Sequence, residues 1–311
     1  MEKVMIILNP YAGRGRGASV STKIQEAFRQ GKVPFELAET NAQDGAALLA
    51  KQARQEGFEI IAAVGGDGTI NEVVNGIADA TPADETVRGL AVLPVGSGND
   101  FADMVGAERG FDAAVNAIRE GKTRRVDLGL VEAQGNGKSY RRFFDNNLGI
   151  GFEAQVTVES RQIKRLRGFA IYVWAALRAL RAYDQPKFEL GWTDGDGTIH
   201  TESKPLLLIS IGNSQRTGGA FYLTPDAVMD DGLLDMAFAD AQSKIGILNL
   251  MPRAMTKTGL YSQKSVYFNR IRSICVAAEH PVPVHTDGEI LARAIEKLSI
   301  TVQPGRLQVI V

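Results

Sequence analysis

Cysteine is all but missing from this chain of 311 residues, where Cys275 stands alone. An intrachain disulfide is therefore excluded, and the count suits a reducing compartment. No stretch approaches the roughly 18 consecutive apolar residues of a membrane-spanning helix. Charge of one sign is also lacking. Lys and Arg total 35 against 36 Asp and Glu, a net charge of −1. No chain-wide basic field marks a nucleic-acid binder, so any basic patch must be local. Histidine is scarce too: His200, His280 and His285 lie without metal-ligand spacing, and none is assigned a metal. His285 reads as a loop histidine. Met1 to Pro10 has no long apolar core with a small-residue cleavage site, so it reads as a first strand, not a signal peptide. No repeat and no low-complexity segment occurs.

Glycine and apolar residues are plentiful. Apolar content of 44% is ordinary for a globular chain with a sizeable core, and the length suits one large or two ordinary domains. The first 125 or so residues alternate between strand and helix. Val4 to Leu8, Phe35 to Ala38, Ile60 to Val64 and Leu90 to Leu93 read as strands. Ser19 to Gln30, Ala42 to Gln55, a segment opened by Thr69, a short piece near Asp100 and Phe111 to Glu120 read as helices. Such alternation with short loops predicts a doubly wound parallel sheet, whose ligands bind beyond the carboxyl ends of the strands. After Arg125 the pattern changes. Val126 to Val131, Arg142 to Asn147, Lys187 to Trp192, Leu206 to Ile211, Leu233 to Ala239 and Ser273 to Ala277 read as strands, several separated by Gly-, Asp- and Asn-rich turns. Helices are inserted near Glu153 to Tyr183 and Ser243 to Thr258. The fold class is α/β plus β: a parallel-sheet domain over 1–127, then an antiparallel β-domain over 128–302. Residues 303–311 are free to pack back on the first domain.

Three glycine clusters follow strands of the first domain. Gly65-Gly66-Asp67-Gly68-Thr69-Ile70-Asn71-Glu72 follows the third strand. Glycines let backbone N–H groups approach a phosphate, and a helix N-terminus favours negative charge. Asp67 can orient a metal-bound phosphate. Thr69 with Glu72 also fits a capping box, so Glu72 has a purely structural reading. Asn9-Pro10-Tyr11-Ala12-Gly13-Arg14-Gly15-Arg16-Gly17 follows the first strand and offers two guanidiniums, suited to polyphosphate. Pro94-Val95-Gly96-Ser97-Gly98-Asn99-Asp100 follows the fourth. In a parallel sheet these ends share one rim, so the loops converge on a phosphate site. Thr40, ending the second strand, either joins them or caps the next helix. Asp67 and Asp100 can hold Mg²⁺ or its waters. Far downstream, Asp287 and Glu289 sit two apart. In an extended segment they point the same way, one able to orient the other. The same residues also read as a polar hairpin turn.

The ordered set, Asn9-Pro10 with Ala12-Gly13, Gly65 to Glu72, and Gly96-Ser97-Gly98-Asn99-Asp100-Phe101, resembles the diacylglycerol kinase catalytic-domain family, and more narrowly the soluble bacterial diacylglycerol and lipid kinases. Sphingosine and ceramide kinases are similar, and NAD kinases are more distant. Asp231-Gly232-Leu233-Leu234-Asp235 and Asp287-Gly288-Glu289 carry the resemblance into the second half. Ser97 departs mildly, since relatives often have Thr there; the hydroxyl survives. The resemblance implies a nucleotide-binding α/β domain, an antiparallel β-sandwich domain, and ATP- and Mg²⁺-dependent phosphorylation of a lipid hydroxyl, diacylglycerol first. It implies that Asn9, Thr40, Gly65, Gly66, Asp67, Gly68, Thr69, Asn71, Glu72, Gly96, Ser97, Asn99 and Asp100 serve the nucleotide. Asp67 acts through Mg²⁺, and Glu289 is the general base with Asp287 beside it. A second, structural Mg²⁺ is implied at the Asp231 side chain and the carbonyls of Val228 and Leu233. The alternatives are a kinase of a soluble acceptor such as NAD, and a nucleotide-binding regulator without turnover.

Gln155 to Tyr183 carries Arg161, Lys164, Arg165, Arg167, Arg178 and Arg181 against the single acid Glu159, with Phe169, Tyr172 and Trp174 among them. Such a stretch either lies on an anionic membrane or packs as a core helix with a solvated basic face. A lipid kinase must reach its substrate at an interface. The expected setting is thus cytoplasmic with peripheral membrane contact through Arg165, Arg167 and Trp174. A homo-oligomer stays open, and no nucleic-acid partner is expected.

Overall fold

The computed structural model describes residues 2–41, 45–96, 98–107, 109–163 and 169–311. They form two units, Met1–Leu128 with Pro304–Val311, and Gly129–Gln303.

The first unit runs β1 (Val4–Leu8), α1 (Ala12–Gln30), β2 (Phe35–Glu39), α2 (Gly45–Gln55), β3 (Ile60–Gly65), α3 (Asp67–Asp79), β4 (Val87–Pro94), α4 (Asp100–Val105) and α5 (Phe111–Glu120). The strands pair in parallel in the order β2-β1-β3-β4. Every side chain of β1 is buried. Such unbroken apolar runs are what a parallel sheet covered on both faces demands. Ile6, Leu8, Val64 and Leu93 pack with Ile24 and Phe28 of α1 and with Val115 and Ile118 of α5. The helices α2 and α3 approach closely. A Cβ on Gly76 would lie 2.1 Å from the Ala47 carbonyl oxygen, so only glycine fits. The last residues return to this sheet, with Leu307 beside Val87 and Ile310 beside Ala91 in parallel register.

Two expected starts move. Helix α1 extends from Ala12, ahead of Ser19, but Gly13 (φ 57) and Gly15 (φ 88) are left-handed, so its opening turns are irregular. Gly17 is there for close approach, since a Cβ would meet the Asn9 carbonyl oxygen at 2.1 Å. Helix α3 begins at Asp67, with Gly66 as N-cap and no side-chain cap bond. Thr69 is therefore its third residue, and the capping box is absent. Residues 42–44 of the expected second helix lie outside the described residues.

The second unit holds most of β5 (Thr123–Gly135), then β6 (Lys138–Phe144), β7 (Asn147–Gly151), α6 (Phe152–Ser160), α7 (Phe169–Ala182), β8 (Lys187–Asp194), β9 (Ile199–Gly212), β10 (Leu234–Asp240), α8 (Lys244–Ala254), β11 (Val266–Thr286) and, as far as Gln303, β12 (Glu289–Ile310). Its pairings are antiparallel. Strands β9 and β11 are long enough to change partners along their length. The end of β9 pairs with β7 and β10, its start with β8. That switching makes a sandwich, filled by Phe144, Phe188, Trp192, Ile209, Met236, Phe238, Ile274 and Ile300. A smaller core lies under the helices, where Phe152, Ala176, Ala179 and Leu180 meet Leu207 and Ile247. The 22-residue β12 is absent from the sequence reading, because charges at Arg293, Glu296 and Lys297 interrupt its apolar pattern.

Candidate active site

The register of the first sheet sets the site. Leu8 is level with both Glu39 and Val64, and Gly65 is level with Pro94. All four strands therefore end on one rim, where Asn9, Thr40, Gly66 and Val95 begin the loops. Backbone bonds continue the sheet past that rim: Asn9 N–H to Val64 at 3.0 Å, Thr40 N–H to Leu8 at 2.9 Å and Val95 N–H to Gly65 at 2.9 Å.

Side chains then stitch the loops together. Asn9 Nδ2 donates to Thr69 Oγ1 at 2.9 Å, joining the first loop to α3. Asp67 Oδ1 accepts the Phe101 N–H at 3.0 Å, capping α4 from the neighbouring loop. Glu72 Oε2 accepts the Ala46 N–H at 3.1 Å, so it caps the first turn of α2 and not its own helix. Asn71 is fully buried, and its carbonyl oxygen accepts from Asn75 Nδ2 at 2.9 Å. Asn99 holds the left-handed region at φ 59 as N-cap of α4, with Nδ2 donating to the Gly96 carbonyl at 3.2 Å. Sequence reasoning missed the Asn9–Thr69, Asp67–Phe101 and Glu72–Ala46 links, because each joins elements that are distant along the chain.

The glycines divide by role. A Cβ on Gly96 would lie 2.5 Å from the Gly66 Cα, and one on Gly65 would strike the Thr69 side chain at 2.4 Å. These glycines let two loops touch. We expect Gly96→Ala to cost about 1–3 kcal/mol, as overpacking does. Thermal melts check this, and an unshifted melt would refute the contact. Gly98 has a different neighbourhood. A Cβ there would lie 3.1 Å from Asp67 Oδ2 and 4.0 Å from Asp100 Oδ2. Two carboxylate oxygens thus flank a space kept open by a missing side chain. That set fits a hard cation which takes its remaining ligands from phosphate and water. Among the described residues, no group of three or more His, Cys, Asp or Glu is placed to hold a metal by itself. Ser97 and the Arg14 side chain lie outside the described residues.

In the second unit the reading of Asp287 and Glu289 as an extended pair is corrected. Asp287 (φ 50) and Gly288 (φ 76) are the two turn residues of the β11–β12 hairpin, and Thr286 faces Glu289 across it. Asp-Gly is the sequence that such a two-residue turn prefers. The Asp287 carboxylate accepts three backbone N–H groups, from Asp145 at 3.1 Å, Asn146 at 2.9 Å and Asn147 at 2.8 Å. Burial pushes its pKa up, against the pull of those N–H groups. Asp287 therefore clamps the turn to β7. Glu289 follows the turn and forms an ion pair with Arg161, the C-cap of α6. Arg161 also donates to the Gly288 carbonyl at 3.0 Å. His285 is no loop histidine: it lies in β11, 1% exposed, beside Glu153.

Asp231 pairs with Arg270, and its Oδ1 accepts the Leu233 N–H at 3.0 Å. Val228, whose carbonyl was expected to complete a cation site here, has a 42% exposed side chain. Burial pushes the neighbouring Asp235 up to about 7; Arg270 opposes this, and Asp231 and Asp226 add to it. A carboxyl raised on folding is fully tolerated below its unfolded pKa near 4. It then weakens the fold as pH climbs from about 4 to 7. In chelator, Asp235→Asn should remove that decline, worth on the order of 2–4 kcal/mol. Melting temperatures at pH 5 and pH 8 test this. Equal pH dependence in both proteins would refute it.

Comparison with known proteins completes the picture. Residues 3–131 match the family model described as diacylglycerol kinase catalytic domain. Residues 146–311 match that of the YegS C-terminal NAD kinase beta sandwich-like domain. A protein of Chromohalobacter salexigens named "Probable lipid kinase YegS-like" is 31% identical over 267 residues, 83% of this chain and 78% of that one. The diacylglycerol kinase of Bacillus subtilis is 28% identical over 291 residues, 93% of this chain and 90% of that one. A crystal structure of a diacylglycerol kinase from Bacillus anthracis covers 99% of this chain with a TM-score of 0.69 at 22% identity, a likeness of fold.

Proposed function

The chain belongs to the diacylglycerol kinase catalytic-domain family, in its YegS-like lipid-kinase branch, and from that premise we propose that it transfers the γ-phosphoryl group of ATP to a lipid hydroxyl, with diacylglycerol to phosphatidic acid as the reaction to test first. The supporting observation is the rim of the first sheet. Three loops begin level with one another and are tied by the Asn9–Thr69 and Asp67–Phe101 bonds. A preorganised set of loop N–H groups, with α3 opening among them, is what a polyphosphate needs.

In this reading Asn9, Thr40, Gly65, Gly66, Gly68, Thr69, Gly96, Ser97 and Asn99 hold the nucleotide directly or shape its cradle. Asn71 and Glu72 brace α3. Asp67 and Asp100 would hold Mg²⁺, which when bound neutralises the charge that phosphoryl transfer develops. Glu289 accepts the proton of the attacking hydroxyl. Arg161 fixes the rotamer of Glu289, and Asp287 fixes the turn that presents it. Asp231, with the carbonyls of Val228 and Leu233, would take a structural Mg²⁺ by exchanging Arg270 for the ion.

The reading requires ATP labelled in its γ-phosphate to label lipid in mixed micelles and not NAD. Labelled NADP would replace it with the soluble-acceptor alternative, and no transfer at all would favour a regulator.

Peripheral membrane contact is part of the proposal. Arg165 and Arg167 lie outside the described residues. Trp174 on α7 is 53% exposed, while Ala175, Ala176 and Ala179 of the same helix are buried. An exposed indole suits a lipid–water interface. Trp174→Ala should weaken binding to anionic vesicles several-fold in a sedimentation assay. Unchanged binding would remove Trp174 from that surface.

A further inference from the structure

Eleven large apolar or aromatic side chains are exposed among the described residues, and five of them fall within residues 245–267: Ile245, Leu248, Met255, Tyr261 and Tyr267. A lone exposed apolar residue needs no explanation, but a concentration of them marks a contact surface.

Helix α8 lies at the centre of this segment and has two apolar faces. Ile247, Leu250, Met251 and Ala254 recur at helical spacing and turn inward. Ile247 and Ala254 are buried, and Leu250 and Met251 pack on the small core beneath the helices. Ile245, Leu248, Pro252 and Met255 recur at similar spacing on another side of the helix, and all four are exposed. Ile245 is 73% exposed. The first face is enough to hold α8 on the sheet. The second is not used by the packing of the unit.

Charge says what the second face meets. From Ala241 to Ala278 the chain has no Asp or Glu. Lys244, Arg253, Lys257 and Lys264 lie in α8 or just after it, all exposed. Acids that reach this segment from outside it are engaged. Asp226 accepts from the Tyr261 hydroxyl, Asp240 pairs with Lys204 at 2.8 Å, and Asp231 pairs with Arg270. A second copy of the chain is a poor occupant. An isologous contact sets a patch against itself, so these cations would face one another. An anionic lipid surface is complementary on both counts. Its acyl region accepts an apolar stripe, and its headgroups attract the flanking Lys and Arg. Tyrosines at the margin suit the headgroup level.

We propose that α8 is a membrane-docking helix. Its Ile245, Leu248, Pro252 and Met255 stripe enters an anionic lipid surface, and Lys244, Arg253, Lys257 and Lys264 bind the headgroups. This rests on the peripheral-contact reading and deepens it, because it adds to Trp174 a second helix with its own apolar stripe and its own cations.

The test is co-sedimentation of the full chain with vesicles of phosphatidylcholine alone, or of phosphatidylcholine mixed with phosphatidylglycerol. Wild type should bind the anionic vesicles at least about tenfold more tightly than the neutral ones. Ile245→Ser with Leu248→Ser should cost about tenfold or more on anionic vesicles. Both positions are exposed, so the melting temperature should hold. Lys244→Glu with Arg253→Glu should cost about as much and should flatten the dependence on salt. Equal binding of neutral and anionic vesicles overturns the inference, as does wild-type affinity in either double variant. A wild-type dimer that Ile245→Ser with Leu248→Ser dissociates in sedimentation velocity also overturns it, and makes the stripe a protein interface. Trp174→Ala, run in parallel, keeps the two surfaces apart. Loss there with none in the α8 variants removes α8 and leaves the Trp174 reading standing; the reverse pattern upholds α8 and removes Trp174. No turnover enters the assay, so its failure leaves the kinase reading standing.

Discussion

In Glu289→Gln, turnover should fall by about 10²- to 10⁴-fold while ATP binding and the melting temperature hold. The substitution keeps shape and removes only the ability to take a proton. Its structural cost is small, because the Arg161–Glu289 pair is 43% and 25% exposed, and an exposed pair contributes about 0–1 kcal/mol. Arg161→Gln separates placement from chemistry. It releases the side chain but leaves the carboxylate, so the loss should be several-fold. Asp287→Asn probes the turn itself. It presents an amide where three N–H groups need an acceptor, so stability should fall along with rate. Wild-type turnover in Glu289→Gln, measured with labelled ATP, removes Glu289 as the base.

Asp67→Asn is the second large effect, and here stability and chemistry part in another way. Asp67 has two jobs on two oxygens. Oδ1 caps α4 through the Phe101 N–H, while Oδ2 faces the open space beside Gly98. Asparagine keeps an oxygen for the cap and puts NH₂ where a cation would sit. Turnover should fall by about 10²- to 10³-fold, the scale on which loss of one preorganised charge-stabilising group acts. The Mg²⁺ concentration for half-maximal rate should rise. Stability should change by under about 1 kcal/mol, whereas Asp67→Ala also loses the cap, worth ~1 kcal/mol. An unchanged Mg²⁺ dependence in Asp67→Asn would refute the assignment.

Local rules carried the reading of the first unit. Its strands are short, apolar and separated by helices at ordinary spacing, so the runs at Val4, Ile60 and Leu90 could be placed directly. The glycines misled where their purpose is packing. Gly17 looked like part of a loop, yet it is there for close approach to Asn9, while Gly13 and Gly15 do take left-handed backbone, and Gly66 and Gly96 serve each other as much as any ligand. In the second unit β12 escaped notice, since surface charge interrupts its alternation. The Glu153–His285 pair had no signal at all. The two residues stand 132 positions apart, and nothing near either one announces the other. The capping of one element by another, as Glu72 caps α2 and Asp67 caps α4, is equally invisible to spacing rules.

The pairing of Leu307–Ile310 with β4 bears on how the chain comes into being. Residues 1–128 leave the ribosome first, but a strand of their sheet lies some 180 residues later. At typical synthesis rates of ~5–20 residues per second, that is a wait of roughly 10–35 s. Through it, the β4 edge where Leu307–Ile310 will pair stays open, and an open edge is a template for wrong partners. The nascent first unit is thus a client for protection until the sandwich has been made and its trailing strand comes home.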